Sequence, residues 1–124
     1  MTFYGYKNLE VGEYDDKGRI ALLLTDLNGI NTTITTNLPE LSINDIDEGF
    51  INADINCKNK DGKNTIEALK EVGIIKESYG CVKYNLEKYE YVKFDFNKIM
   101  EFDPVGMRRF WAKNDLKKIF GMKL

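Results

Sequence analysis

The run Arg19 to Asp26 (RIALLLTD) limits the fold more than any other stretch of the chain. It is too short for a typical helix and too continuously apolar for a strand with one wet face, so it reads as a central strand buried on both sides. Leu27-Asn28-Gly29-Ile30 then reverses the chain. Asn-Gly is the strongest short hairpin signal, because both residues tolerate the left-handed region that a type I′ turn demands. The β-branched residues Thr32, Thr33, Ile34, Thr35 and Thr36 make Asn31 to Thr36 the returning strand. Asn37-Leu38-Pro39 ends it, since proline cannot donate to a ladder and restricts the residue before it. Upstream, Asp15-Asp16-Lys17-Gly18 signals a turn. Residues 3–14 predict one or two edge strands broken at Gly5 and Gly12.

Beyond Pro39 the pattern becomes mixed. Glu40 to Ile55 is acidic and punctuated, with Phe50 and Ile51 as a short strand, and Asn56 to Lys63 is a polar loop. Asn64 or Thr65 caps a helix whose apolar stripe is Ile66, Leu69 and Val72 and whose stop is Gly73. A connector at Ser78-Tyr79-Gly80 precedes two strands, Cys81 to Leu86 and Tyr89 to Phe96. In the second, Val92, Phe94 and Phe96 share one face, and Tyr91, Lys93 and Asp95 the other. Asp103-Pro104 opens a helix, with Asp at the cap and Pro in the first turn. The tail that follows breaks near Asn114-Asp115, because Met107, Phe110 and Trp111 fall on a different helical face from Leu116, Ile119 and Phe120. The expected architecture is therefore α+β: a small, mostly antiparallel sheet with one packed helix and a C-terminal helical tail. Residues 1–102 form the expected core domain, and 103–124 a basic amphipathic tail.

At 124 residues, 43% hydrophobic and 31% charged, the chain has enough apolar surface for one core without disulfide or metal support. The longest aliphatic run, Ile20 to Leu24, falls far short of the ~20 residues that cross a bilayer. The first residues lack the basic and apolar regions of a secretory signal, so the expected compartment is the cytoplasm. There Cys57 and Cys81 are expected as buried thiols rather than a disulfide.

Candidate chemistry is sparse. Without histidine the chain lacks the commonest general base and metal ligand, and it carries neither GxGxxG nor GxxxxGK[ST]. The acidic clusters Glu13/Asp15/Asp16 and Asp45/Asp47/Glu48 do not have the alternating spacing that wraps calcium. No catalytic residue, metal site or cofactor is expected, and the chain reads as a binding protein rather than an enzyme. Tyr79, Tyr84, Tyr89 and Tyr91, with Phe94 and Phe96, form either an aromatic platform for bases or ordinary cross-strand packing. From Pro104 onward six basic side chains face one acid, Asp115, whereas residues 1–60 carry 5 basic and 10 acidic side chains. In that tail Arg108, Arg109, Phe110, Trp111, Lys113 and Lys117 combine charge with apolar area, a composition enriched at partner contacts. Phe110, Trp111, Leu116, Ile119 and Phe120 either cap the chain's own sheet or dock on a partner whose acidic surface meets Arg108, Arg109, Lys113 and Lys117, and docking is the expected use.

The segment VGEYDDKGRIALLLTD, its hairpin and TTITTNLPEL together resemble the family known as domain of unknown function 4313. The matching positions are Tyr14, Gly18, Arg19, Ala21, Leu22, Leu24, Asp26, Thr35, Asn37, Leu38 and Pro39. The helix ending in EVGII and the strand YEYVKFDF extend the likeness across about residues 9–97, with Tyr84 to Lys88 replacing the family's Gly-rich turn. The resemblance implies a setting on phages, plasmids and conjugative elements of Firmicutes. It leads to the expectation of a non-catalytic accessory protein that blocks a host defence, such as a CRISPR effector, by binding a host protein directly. Other readings are a sponge for a nucleotide second messenger, with Arg19, Arg108 or Arg109 on its phosphates, and a nucleic-acid-binding factor acting through the basic tail. Homodimerisation stays open.

Overall fold

A computed structural model describes residues 8–14, 19–26, 28–55, 57 and 64–114. Its elements are β1 (Asn8–Glu13), β2 (Ile20–Thr25), β3 (Asn31–Thr33), β4 (Thr35–Thr36), β5 (Glu48–Asn52), α1 (Thr65–Val72), β6 (Ile75–Tyr84), β7 (Glu87–Phe94), α2 (Phe96–Phe102) and α3 (Pro104–Asn114). The α+β class is as expected. In place of one sheet there are two antiparallel ones, ordered β1-β2-β3 and β4-β5-β7-β6.

The apolar run does form the centre of the first sheet, with Leu22 and Leu24 fully buried. Its returning strand is split at Ile34. Residues 31–33 pair with β2, while Thr35 and Thr36 pair with Ile51 and Phe50 of β5 in the other sheet. The crossover is held by Leu22, whose carbonyl accepts from the Ile34 amide at 2.8 Å and whose amide donates to Thr35 Oγ1 at 3.1 Å. The Tyr14 hydroxyl donates to the Thr35 carbonyl on the same residue, at 2.9 Å. β-Propensity favours an extended chain over the whole threonine run, and only these tertiary bonds divide it.

The hairpin at Asn28-Gly29 does not have the expected type I′ turn. At Asn28-Gly29 only Gly29 has positive φ (81°), and its amide bonds the Asp26 carbonyl while the Asp26 amide bonds the Ile30 carbonyl. This is the three-residue loop closed by one left-handed glycine. Asp26 stabilises it by accepting from the Asn28 and Ile30 amides at 2.9 and 3.0 Å. The two-residue turn with both φ positive lies between β6 and β7, at Asn85 (49°) and Leu86 (69°), where Tyr84 faces Glu87. Leucine gives no local signal for that conformation.

Other boundaries shift for physical reasons. The Ser78-Tyr79-Gly80 stretch is part of the ten-residue strand β6, as a bulge where the register with β7 slips. Gly12 sits inside β1 opposite Ala21 instead of breaking it. The β7 strand ends at Phe94, because Asp95 accepts from the Lys98 amide and starts the unanticipated helix α2, which carries Phe96. Asn64 caps α1 by accepting from the Ile66 and Glu67 amides, and Gly73 ends it, as read from the sequence. The expected strand residues 3–7, the expected turn at 15–18, the expected loop residues 58–63 and the tail beyond Asn114 lie outside the described residues.

A single hydrophobic cluster joins Leu9, Leu22 and Leu24 to Val92 and Phe94 of the second sheet and to Met107, Phe110 and Trp111 of α3. The expected boundary between 102 and 103 is therefore not a domain boundary: α3 is a wall of the core. The two cysteines form no disulfide with each other; Cys57 is buried as expected, but Cys81 is exposed on β6. No described helix is long and apolar enough to cross a membrane.

Leu22→Ala is expected to lower unfolding free energy by about 2–5 kcal/mol, the range for buried leucine truncation, read as a lower urea midpoint. Truncation after Phe102 removes three core side chains and is expected to abolish cooperative thermal unfolding; a normal melt would contradict the shared core. Leu86→Gly relieves a left-handed leucine that costs roughly 1–2 kcal/mol, less the extra backbone entropy of glycine. A net gain of about 0.5–1 kcal/mol is expected in the same urea titration.

Candidate functional site

The aromatic side chains singled out in the sequence divide between the two faces of the second sheet. Phe94 and Phe96 belong to the main core, and Phe96 packs edge-on against Phe110 with centroids 5.7 Å apart. Tyr84, Tyr89 and Tyr91 cover the opposite face with Phe50, beneath Leu38, Leu41 and Ile43. Tyr91 stacks on Phe50 at 5.0 Å and meets Tyr79 at 4.9 Å. Their hydroxyls are directed to carboxylates. Tyr91 donates to Glu48 Oε1, Tyr79 also bonds Glu48, and Tyr84 bonds Glu40. These tyrosines are packing residues with tethered hydroxyls rather than an open stacking platform.

Glu48 is buried, and it organises the acidic turn before β5. Its Oε1 accepts from the Asn44 amide at 2.8 Å and the Asp45 amide at 3.2 Å. Burial pushes its carboxyl pKa up, but the bonds from Tyr91, Asn44, Tyr79 and Asp45 outweigh burial and leave it below the ordinary 4.5. The tyrosines respond in the opposite sense. The Tyr79 hydroxyl is raised chiefly by its bond to Glu48, and that of Tyr91 by burial and then by Glu48. Lys93 closes the turn from the other side, 3.2 Å from Asp47 and 3.7 Å from Asp45. Among the described residues no group of three or more His, Cys, Asp or Glu side chains converges to hold a metal ion.

Arg19 borders a cleft of ≈ 410 Å³ with Leu41, Asn44 and Asp45. Its guanidinium already donates to the Leu38 carbonyl at 3.3 Å and the Leu41 carbonyl at 2.6 Å, which pins the 38–41 loop over the tyrosine face. The cleft also lies within a segment, Ile20 to Cys57, that has six acids and no Lys or Arg. A phosphate there would gain little from a guanidinium committed to backbone carbonyls and would face Asp45. Tyr14, Arg19, Asp26, Leu38 and Thr35, all in the family-like motif, thus serve crossover, turn and loop bonds.

The tail residues separate cleanly. Phe110 and Trp111 are 2% and 1% exposed and pack inward with Met107, so they cannot be partner contacts in this fold. The spacing 107, 110, 111 is a helical stripe, and this signal was present in the sequence. Arg108, Arg109 and Lys113 are exposed on the outer face, beside Val105, which is 62% exposed. Neither arginine has an ion-pair partner among the described residues, whereas Lys113 reaches the Tyr14 carbonyl at 3.4 Å. Lys117 lies outside the described residues. What the sequence reading missed is how α3 is held. Asp103 Oδ1 accepts from the Gly106 amide at 3.0 Å, and Oδ2 accepts from the Val11 amide of β1 at 2.9 Å. A Cβ on Gly106 would lie 2.1 Å from that Oδ2 and 3.1 Å from Val11 Cβ, so only glycine lets the helix approach β1 this closely.

Because the Glu48 carboxyl is lowered in the folded state, its stabilisation is complete above the unfolded value near 4.5 and is lost as pH falls through the lower folded value. Urea titrations across that range should show a steeper acid loss for the parent than for Glu48→Gln, which at pH 7 should be destabilised by about 1–3 kcal/mol. Gly106→Ala normally stabilises a helix interior by about 1 kcal/mol. Here it should destabilise by about 1–3 kcal/mol through loss of the Asp103 bonds, and much less in an Asp103→Ala background. Comparisons with protein-family models, with curated proteins and with solved structures find no match to this chain.

Proposed function

We propose that this chain is a non-catalytic accessory protein of a phage or other mobile element that inhibits a host defence system by direct protein binding, with a CRISPR effector as the favoured target. The observation that carries the binding site is the outer face of α3, where Arg108, Arg109 and Lys113 stand exposed with no acidic residue on the helix. A helix anchored by Met107, Phe110 and Trp111 presents these charges on a rigid backbone, which lowers the entropy lost on binding. The setting comes from the sequence resemblance, and the mode of action from the face.

The charge distribution favours an acidic protein surface over nucleic acid. Three cations on one helix give few phosphate contacts, and the cation-free stretch from Ile20 to Cys57 would repel a long polyanion. Against a protein, the opposed charges help instead, since basic and acidic faces together fix orientation and reject wrong partners.

Phage plating on a CRISPR-immune host tests this reading. Expression of the protein should restore plating of a targeted phage, and Arg108→Glu with Arg109→Glu should reduce the rescue at least tenfold, about 1.4 kcal/mol of binding, with the melting temperature unchanged. Absence of rescue, or equal rescue by the double variant, would overturn it. Salt-sensitive binding to duplex DNA that the double variant loses would instead favour the nucleic-acid reading.

A further inference from the structure

The turn between β6 and β7 carries two features that cost stability. Leu86 is held at φ 69°, in the left-handed region that this two-residue hairpin turn demands and that disfavours a bulky side chain. Asn85, the other turn residue, tolerates its φ of 49° because its short polar side chain suits that region. Leu86 is also fully exposed, at 104%. A single exposed leucine is ordinary on a protein surface. One kept in an unfavourable backbone conformation with no burial in return is not, and such outliers gather at binding sites.

The second feature flanks the first. Lys83 and Lys88 are directly opposite in the β6–β7 register, so their side chains share a face. The Lys88 carbonyl accepts from the Ala53 amide at 2.9 Å, on the β5 side. Lys83 and Lys88 therefore form a non-hydrogen-bonded pair, the kind that brings side chains closest, and like charges so placed repel. Both are exposed, and neither has a carboxylate partner among the described residues. Glu90, next along the same face, is committed to Lys70 of α1 at 3.0 Å. Glu87 is paired with Tyr84 on the other face and accepts from Asn52 Nδ2 at 3.4 Å. The tip is firmly carried, since Val82 and Tyr84 pack on the tyrosine face and the Tyr84 hydroxyl bonds Glu40.

We infer that this hairpin tip is an anchor for the protein partner: Leu86 enters an apolar socket, and Lys83 and Lys88 close on a carboxylate at its rim. A carboxylate there offsets the repulsion between the lysines, and burial of Leu86 removes from water apolar surface that the free chain leaves exposed. The chemistry fits a protein better than other surfaces. One leucine and two lysines are too little to hold a membrane, where even a whole myristoyl chain binds reversibly. Phosphates would draw the lysines but offer nothing to the leucine. The inference rests on the protein-binding reading and adds to it a second contact, apart from α3.

The test is photo-cross-linking in the CRISPR-immune host, with p-benzoylphenylalanine in place of Leu86 in the full chain. The expected result is an adduct with one host protein, through a peptide that combines apolar residues with Asp or Glu. Co-expressed parent chain should reduce the adduct about fivefold or more, whereas neither Leu86→Gly nor the pair Lys83→Glu and Lys88→Glu should compete. Leu86→Gly should meanwhile keep a urea midpoint at or above that of the parent, which separates an anchor from a structural leucine. No adduct, adducts with lipid or nucleic acid alone, equal competition by the variants, or a lower midpoint for Leu86→Gly would overturn the inference. If no adduct forms while charge reversal at Arg108 and Arg109 still abolishes phage rescue, the anchor is wrong and the protein-binding reading stands. An adduct with the expected competition but without phage rescue upholds the anchor and removes the defence-inhibitor setting.

Discussion

The Asp103 carboxylate joins two parts of the chain that have no sequence proximity: the edge of β1 that faces away from β2 and the first turn of α3. One oxygen satisfies a strand amide that would otherwise face solvent, and the other satisfies a helix amide that has no partner within its own helix. Gly106 is the steric condition for both bonds, because any side chain there meets the carboxylate. Once this contact is made, the rotation of α3 about its axis is fixed. Met107, Phe110 and Trp111 then enter the core, and Arg108, Arg109 and Lys113 remain outside.

A second carboxylate plays a similar part on the other sheet. Glu48 is buried with no cation bonded to it among the described residues, and its charge is supported by two backbone amides and two tyrosine hydroxyls. Such a network is worth keeping only when every member is satisfied, since a partly satisfied buried carboxylate is costlier than an apolar residue. The acidic turn at 44–48 therefore owes its shape to tyrosines on β6 and β7, more than forty residues later for Tyr91. Asp45, Asp47 and Glu48 are held in the turn and sheet, with Lys93 as the counter-ion of Asp45 and Asp47.

The acids at 45–48 lie at the outer face of the second sheet with Tyr91 and Lys93, and Arg108, Arg109 and Lys113 occupy the outer face of α3. A stretch free of cations followed by a helix free of acids is a property of the sequence. Its placement on separate surfaces is a property of the fold, and this placement gives the proposed partner a defined docking side.

The sequence by itself determined the elements whose causes are local. The buried apolar strand at Ile20–Thr25, the Asn64 cap and Gly73 stop of α1, and the Asp103-Pro104 start of α3 all follow from burial pattern and capping chemistry acting within a few residues. Only the tertiary structure decided the division of the threonine run at Ile34, the left-handed turn at Asn85-Leu86 and the inward rotation of Phe110 and Trp111. Threonines extend equally well in either sheet, leucine carries no preference for a left-handed turn, and the apolar stripe at 107, 110 and 111 would suit a partner's surface as well as the chain's own core. The choice was made by contacts with distant residues, Leu22 for the crossover, β7 for the turn, and Val11 for the helix, and such contacts leave no mark in the residues they position.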